Sequence, residues 1–132
     1  MKNLISAKHA GQLLLAGLIL LFLFHVLVTL KIIPSDNIWG GQVSGTDPSL
    51  LYFELIAFAI TGIFIFIILA KLDYIKIKKF RTLLNVGVWI IFIYFVLNTI
   101  GNFASGVTSE ALIFGPITIV LSILALRLAI EK

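Results

Sequence analysis

Apolar residues run through this chain in four long blocks separated by short polar breaks. The blocks cover roughly residues 10–33, 48–70, 83–101 and 111–130. Wound as helices at 1.5 Å per residue, they span about 28–36 Å each, against a bilayer hydrocarbon core of about 30 Å. A membrane strand would be about 10 residues long and would alternate in polarity. A helix satisfies its own peptide groups, which lipid cannot do. The pattern therefore predicts an all-α chain, a polytopic membrane protein built as one four-transmembrane-helix bundle over residues 1–132.

The breaks have chemical causes. Pro34 is expected to end the first span, since the residue before a proline is pushed out of the α region. "DPSL" opens the second, with Asp47 as a helix cap and Pro48 suited to the first helical position. "GNFASG" closes the third through Gly101 and Gly106, and Thr108 or Ser109 caps the fourth. The first span exceeds the 7–15 apolar residues of a signal peptide and lacks a small-x-small site before "KIIP", so it is expected to stay attached. No internal repeat joins the halves.

Composition supports this reading. The chain is 61% hydrophobic and 12% charged, too apolar for a soluble domain of this size. It has no cysteine, which excludes disulfides and thiolate metal sites. The basic residues flank the spans. Lys2, Lys8, Lys71, Lys76, Lys78, Lys79, Arg81, Arg127 and Lys132 fall on one side, and Lys31 with Asp36, Asp47 and Glu110 on the other. The positive-inside rule then places both termini and the 71–81 link in the cytoplasm. The expected location is a cell membrane, a bacterial inner membrane in particular. The net charge of +4 is explained by topology and lipid headgroups, and no nucleic-acid motif accompanies it.

Polar residues inside the spans converge in height. Glu54 lies about 9 Å below the start of its span, and His25 about 12 Å below the end of the neighbouring antiparallel one. Asn98 and Asn102, one turn apart, sit near the same end of the third span, with Thr99 between them. Thr29 extends the face of His25. Gly115-Pro116 interrupts the fourth span at that depth, depriving the Leu112 carbonyl of its helical donor, and Thr118 lies close by. Trp39, beside Gly40-Gly41 in "NIWGGQ", could fold over this layer. Each residue also has a structural reading: Trp39 as an interfacial anchor, the amides as interhelical hydrogen bonds, the proline as a packing kink. Together they form a candidate ligand site, because ionisable groups inside spans are rare and commonly functional.

His9 and His25 share one helix, too far apart to hold one haem, and His25 with Glu54 falls short of a zinc set, so no cofactor or metal is expected. No phosphate loop or nucleophile motif appears. Small multidrug transporters and sterol-isomerase-like bundles resemble this pattern in architecture only, because their motifs do not match residue by residue. Three functions remain open. The first is binding or translocation of a small solute, cation or proton, in a homodimer that Ala7 and Gly11 would bring together. The second is a structural or accessory subunit without catalysis. The third is an intramembrane enzyme using Glu54 and His25 as acid and base on a lipid-soluble substrate.

Overall fold

The computed structural model describes residues 3–131. Lys2 and Lys132, counted in the charge asymmetry, lie outside the described residues. Those described are all-helical, with no strand among them. The helices are α1 (Ala7–Thr29), α2 (Ser49–Lys71), α3 (Arg81–Ala104) and α4 (Gly115–Ala129), the last entered through a π-helical turn, Glu110–Phe114. All four segments are long and apolar enough to cross a membrane, which suggests a multi-pass membrane protein. Leu20, Leu97 and Leu112 are each more than 60% exposed on the outer surface. Such a surface suits acyl chains rather than water.

α1 ends at Thr29, before Pro34 is reached. Lys31 turns left-handed at φ 60°, its N–H meets the Val28 carbonyl at 2.9 Å, and the Ile32 N–H meets that of Leu27 at 2.9 Å. This is a Schellman closure. α2 closes the same way on Asp73, at φ 63°. At the start of α2, Asp47 Oδ1 accepts from the Ser49 hydroxyl at 2.7 Å and the Ser49 N–H at 2.9 Å. Those bonds hold the Asp47 carboxyl below its ordinary value. A group depressed in the folded state adds stability above its unfolded value of 3.8 and loses it as pH falls through the folded one. Asp47→Asn is therefore expected to melt earlier than the parent at pH 7 and level with it once the carboxyl is protonated. A melting gap that stays constant from pH 7 to pH 2.5 would refute this capping role.

Consecutive helices run antiparallel. A Cβ on Gly11, early in α1, would lie 2.6 Å from Leu72 at the end of α2. Gly87, early in α3, faces Ile67 late in α2, and Gly115 faces Phe103 at the end of α3. α1 packs on α2 and α4, α3 packs chiefly on α4, and of the neighbouring pairs α2 and α3 meet least. Gly11 is thus occupied by a side chain of its own chain.

The bundle has a solid half and a hollow half. Toward the termini, Leu14, Leu18, Phe64, Ile68, Val88, Ile91, Phe95, Leu121 and Ala125 form one buried core. Two of the basic residues there are tied down. Arg127, only 4% exposed, donates Nε to the Ile5 carbonyl at 2.9 Å and reaches Glu131 at 3.0 Å. Lys71 Nζ donates to Asn85 Oδ1 and to the Glu131 carbonyl. Toward the α1–α2 loop a second cluster, Val28, Ile38, Val43 and Leu50, covers the bundle end like a lid. The candidate site lies between the two cores.

Candidate functional site

Glu54 is completely buried, and each of its oxygens holds one donor. Oε2 lies 2.8 Å from His25 Nδ1, and Oε1 accepts from the Trp39 indole N–H at 2.9 Å. His25 is one turn from the end of α1 and Glu54 five residues into α2, so antiparallel pairing brings them level. With the carboxylate ionised, Nδ1 carries the proton and donates it. Nε2 is then an acceptor, or a donor once the ring is protonated. It has no hydrogen-bond partner among the described residues.

Trp39 reaches Glu54 because its backbone is left-handed. Trp39, Gly40 and Gly41 follow one another at φ 56°, 66° and 70°. The two glycines adopt that conformation freely, whereas a side-chain-bearing residue there costs about 1–2 kcal/mol. The turn folds the indole inward, against Phe53 at 5.2 Å and His25 at 6.0 Å between ring centroids. Its next peptide is also held: the Gly40 N–H donates to Glu110 Oε1 at 2.9 Å. One carboxylate from α2 and one from the head of α4 therefore grip consecutive residues of the loop.

Beneath this roof lies a cavity of about 600 Å³. Leu18, Phe64 and Phe95 form its floor, and His25, Trp39 and Gly40 its upper wall. Asn98, Asn102, Thr61, Thr118, Tyr94 and Glu110 add polar atoms, and no lysine or arginine lines it. Ile56, Leu97 and Gly101, all exposed, mark its rim where α2 and α3 separate. A Cβ on Gly101 would meet nothing within 4 Å. This glycine leaves open space, unlike Gly17 or Gly115, which face side chains at 2.5 and 2.7 Å.

α3 and α4 are joined by a polar knot on the opposite wall. Thr118 Oγ1 accepts from Thr99 at 2.9 Å and Asn102 at 3.3 Å, and lies 2.9 and 3.0 Å from the Phe114 and Gly115 carbonyls. The π turn is widened just ahead of Pro116, with the Gly115 N–H bonded to the Glu110 carbonyl five residues back. Such single wide turns occur where a proline disturbs the regular ladder.

Of the residues singled out by sequence, His25, Trp39, Asn98, Asn102 and Thr118 line the cavity, and Glu54 stands directly behind two of them. Thr29 does not join; its hydroxyl caps the His25 carbonyl at 2.8 Å. Gly115 is buried against Phe103, and Pro116 is exposed outside the cavity. From sequence, Glu110 counts only among the charges on the side opposite the basic residues. It is only 6% exposed and lines the cavity. Its one sequence signal is an acidic residue at the head of an apolar helical span. No group of three or more His, Asp or Glu able to hold a metal occurs among the described residues.

No protein-family model, no curated protein and no solved structure matches the chain.

Proposed function

We propose that the chain is a membrane-embedded binding module that takes up a small lipid-soluble molecule through the gap between α2 and α3. The observation that carries this reading is the cavity itself, about 600 Å³ of space under a roof pinned by two carboxylates. Its size falls within the range of about 300–1,000 Å³ typical of small-molecule sites. Its walls are chiefly apolar aromatics and aliphatics, and most of the polar residues, His25, Trp39, Asn102, Ser105, Glu110 and Thr118 among them, lie toward the loop, with Thr61 and Tyr94 deeper. A guest with an apolar body and a polar head matches that gradient. An inorganic cation at Glu54 fits less well, because Trp39 and His25 already occupy both oxygens. In the orientation expected from the basic residues, the polar end of the cavity lies near the outer face of the membrane.

Trp39 serves as its own reporter once Trp89→Phe leaves it the sole tryptophan. Titrating that protein in lipid nanodiscs with para-iodobenzyl alcohol, whose iodine quenches indole emission on contact, is expected to give saturable quenching. Gly101→Leu starts from open space at its Cβ on the cavity rim, and exchanging glycine for leucine inside a helix favours the fold by about 0.8 kcal/mol. The variant is expected to melt slightly higher and to bind about tenfold more weakly, a loss of about 1.4 kcal/mol. Quenching that rises linearly with probe and is indifferent to Gly101→Leu would defeat the proposal.

A further inference from the structure

Resting on that binding reading, we propose that the guest is a cationic amphiphile, a lipid-soluble molecule with an ammonium head. The head would stand against Glu110, between aromatic walls. Glu110 carries the argument. It is a nearly buried carboxylate that forms no ion pair among the described residues. Only its Oε1 is engaged, by the Gly40 N–H, and its other oxygen has no hydrogen-bond partner there. The carboxylate stands in the first turn of the helical segment leading into α4, where the helix dipole favours a negative charge.

Nothing else on the cavity wall supplies the balancing positive charge. Lysine and arginine are absent from it. Its one imidazole, His25, is paired with Glu54. That imidazole is held on Glu54, so no cationic side chain of the wall stands against Glu110. An unpaired charge in a low-dielectric site is costly, and a guest bringing the opposite charge removes that cost.

The surrounding rings suit the same head. Phe24 and Phe114 stand 5.1 Å apart, edge to face, and Phe24 lies 5.6 Å from His25. Phe24, Trp39 and Phe114 all line the cavity with Glu110, and aromatic rings are groups that receive ammonium heads. The apolar body of the guest would extend toward Ile60 and Phe64.

Three probes of one shape test this in the Trp89→Phe protein: para-iodobenzyltrimethylammonium, para-iodobenzyl alcohol and para-iodobenzoate. The ammonium is expected to saturate Trp39 quenching at about tenfold lower concentration than the alcohol, with the benzoate weakest, as attraction by one partly screened carboxylate requires. Glu110→Gln retains an oxygen for the Gly40 N–H while removing the charge. It is expected to bring ammonium and alcohol within about twofold of each other. The ranking in the Trp89→Phe parent stands as a test even if the glutamine variant folds poorly. Ammonium binding no tighter than alcohol, or a preference that survives Glu110→Gln, would overturn the ligand class while leaving a saturable, Gly101→Leu-sensitive alcohol site intact. Absence of saturable quenching by all three probes would overturn the binding reading and this inference with it.

Discussion

Glu54→Ala is expected to destabilise the folded bundle by about 3 kcal/mol. The carboxylate is wholly buried and holds His25 Nδ1 at 2.8 Å and the Trp39 indole N–H at 2.9 Å. Truncation strands both donors and removes the tie between α1, α2 and the loop. Each abandoned buried group costs about 1–3 kcal/mol, less where solvent can reach it. The His25 side chain is 18% exposed, which limits its share. Glu54→Gln is expected to cost less than half as much as alanine. Its carbonyl oxygen can still accept from Trp39, and its amide can donate to His25 Nδ1 once the ring proton moves to Nε2. The two variants thus separate the hydrogen bonds from the charge. Unfolding in detergent, followed by near-ultraviolet circular dichroism, reads the stabilities. Trp39 emission in the Trp89→Phe background should shift to the red for alanine and little for glutamine. An alanine variant within about 0.5 kcal/mol of the parent, the usual scale of an indifferent surface change, would show that this pair does not anchor the loop.

The architecture was legible because lipid imposes a strong rule. Blocks of about 20 apolar residues with basic flanks have few folded alternatives to spanning helices. The meeting of His25 and Glu54 also follows from simple geometry. Two antiparallel helices joined by a short external link must place residues at equal depth side by side, and counting helical rise from each end identifies them. An error of one turn in the end of α1 did not spoil the estimate, because both residues lie close to the loop. That error came from a closure without its usual marker. Lys31 and Asp73 take the left-handed position that glycine or asparagine normally fills. The hydrogen bonds of the closure are between main-chain atoms, so composition gives no sign of them.

Glu110 and Arg127 were illegible for a related reason. A carboxylate next to a turn and a guanidinium near a terminus read as solvated charges. Their burial depends on main-chain partners distant in sequence, the Gly40 N–H and the Ile5 carbonyl. Asn98 shows the converse. An amide in an apolar span suggests a bond to another helix, yet its amino group turns back to the Tyr94 carbonyl of its own turn. The cavity was equally hidden. Space is what side chains fail to fill, and it depends on how residues from all four helices pack together.

Phe95→Ala probes that space from below. Phe95 is 2% exposed, belongs to the buried core and forms part of the cavity floor, with its ring 5.5 Å from that of Tyr94 and 6.5 Å from that of Phe64. In a water-soluble core its truncation would cost about 3–5 kcal/mol. Within a bilayer the separated helices already expose the ring to acyl chains, so mainly packing contacts are lost and about 2–3 kcal/mol is expected. The same truncation removes the floor and deepens the cavity toward the solid half. A longer probe should benefit where the short one cannot. Iodobiphenylmethanol is expected to gain about tenfold, or about 1.4 kcal/mol, relative to para-iodobenzyl alcohol. A loss of stability without any change in this size preference would place the bound probe elsewhere than against Phe95. A matched gain would fix the depth to which the guest descends: its polar head beneath Trp39 and its far end at the layer where the core becomes solid.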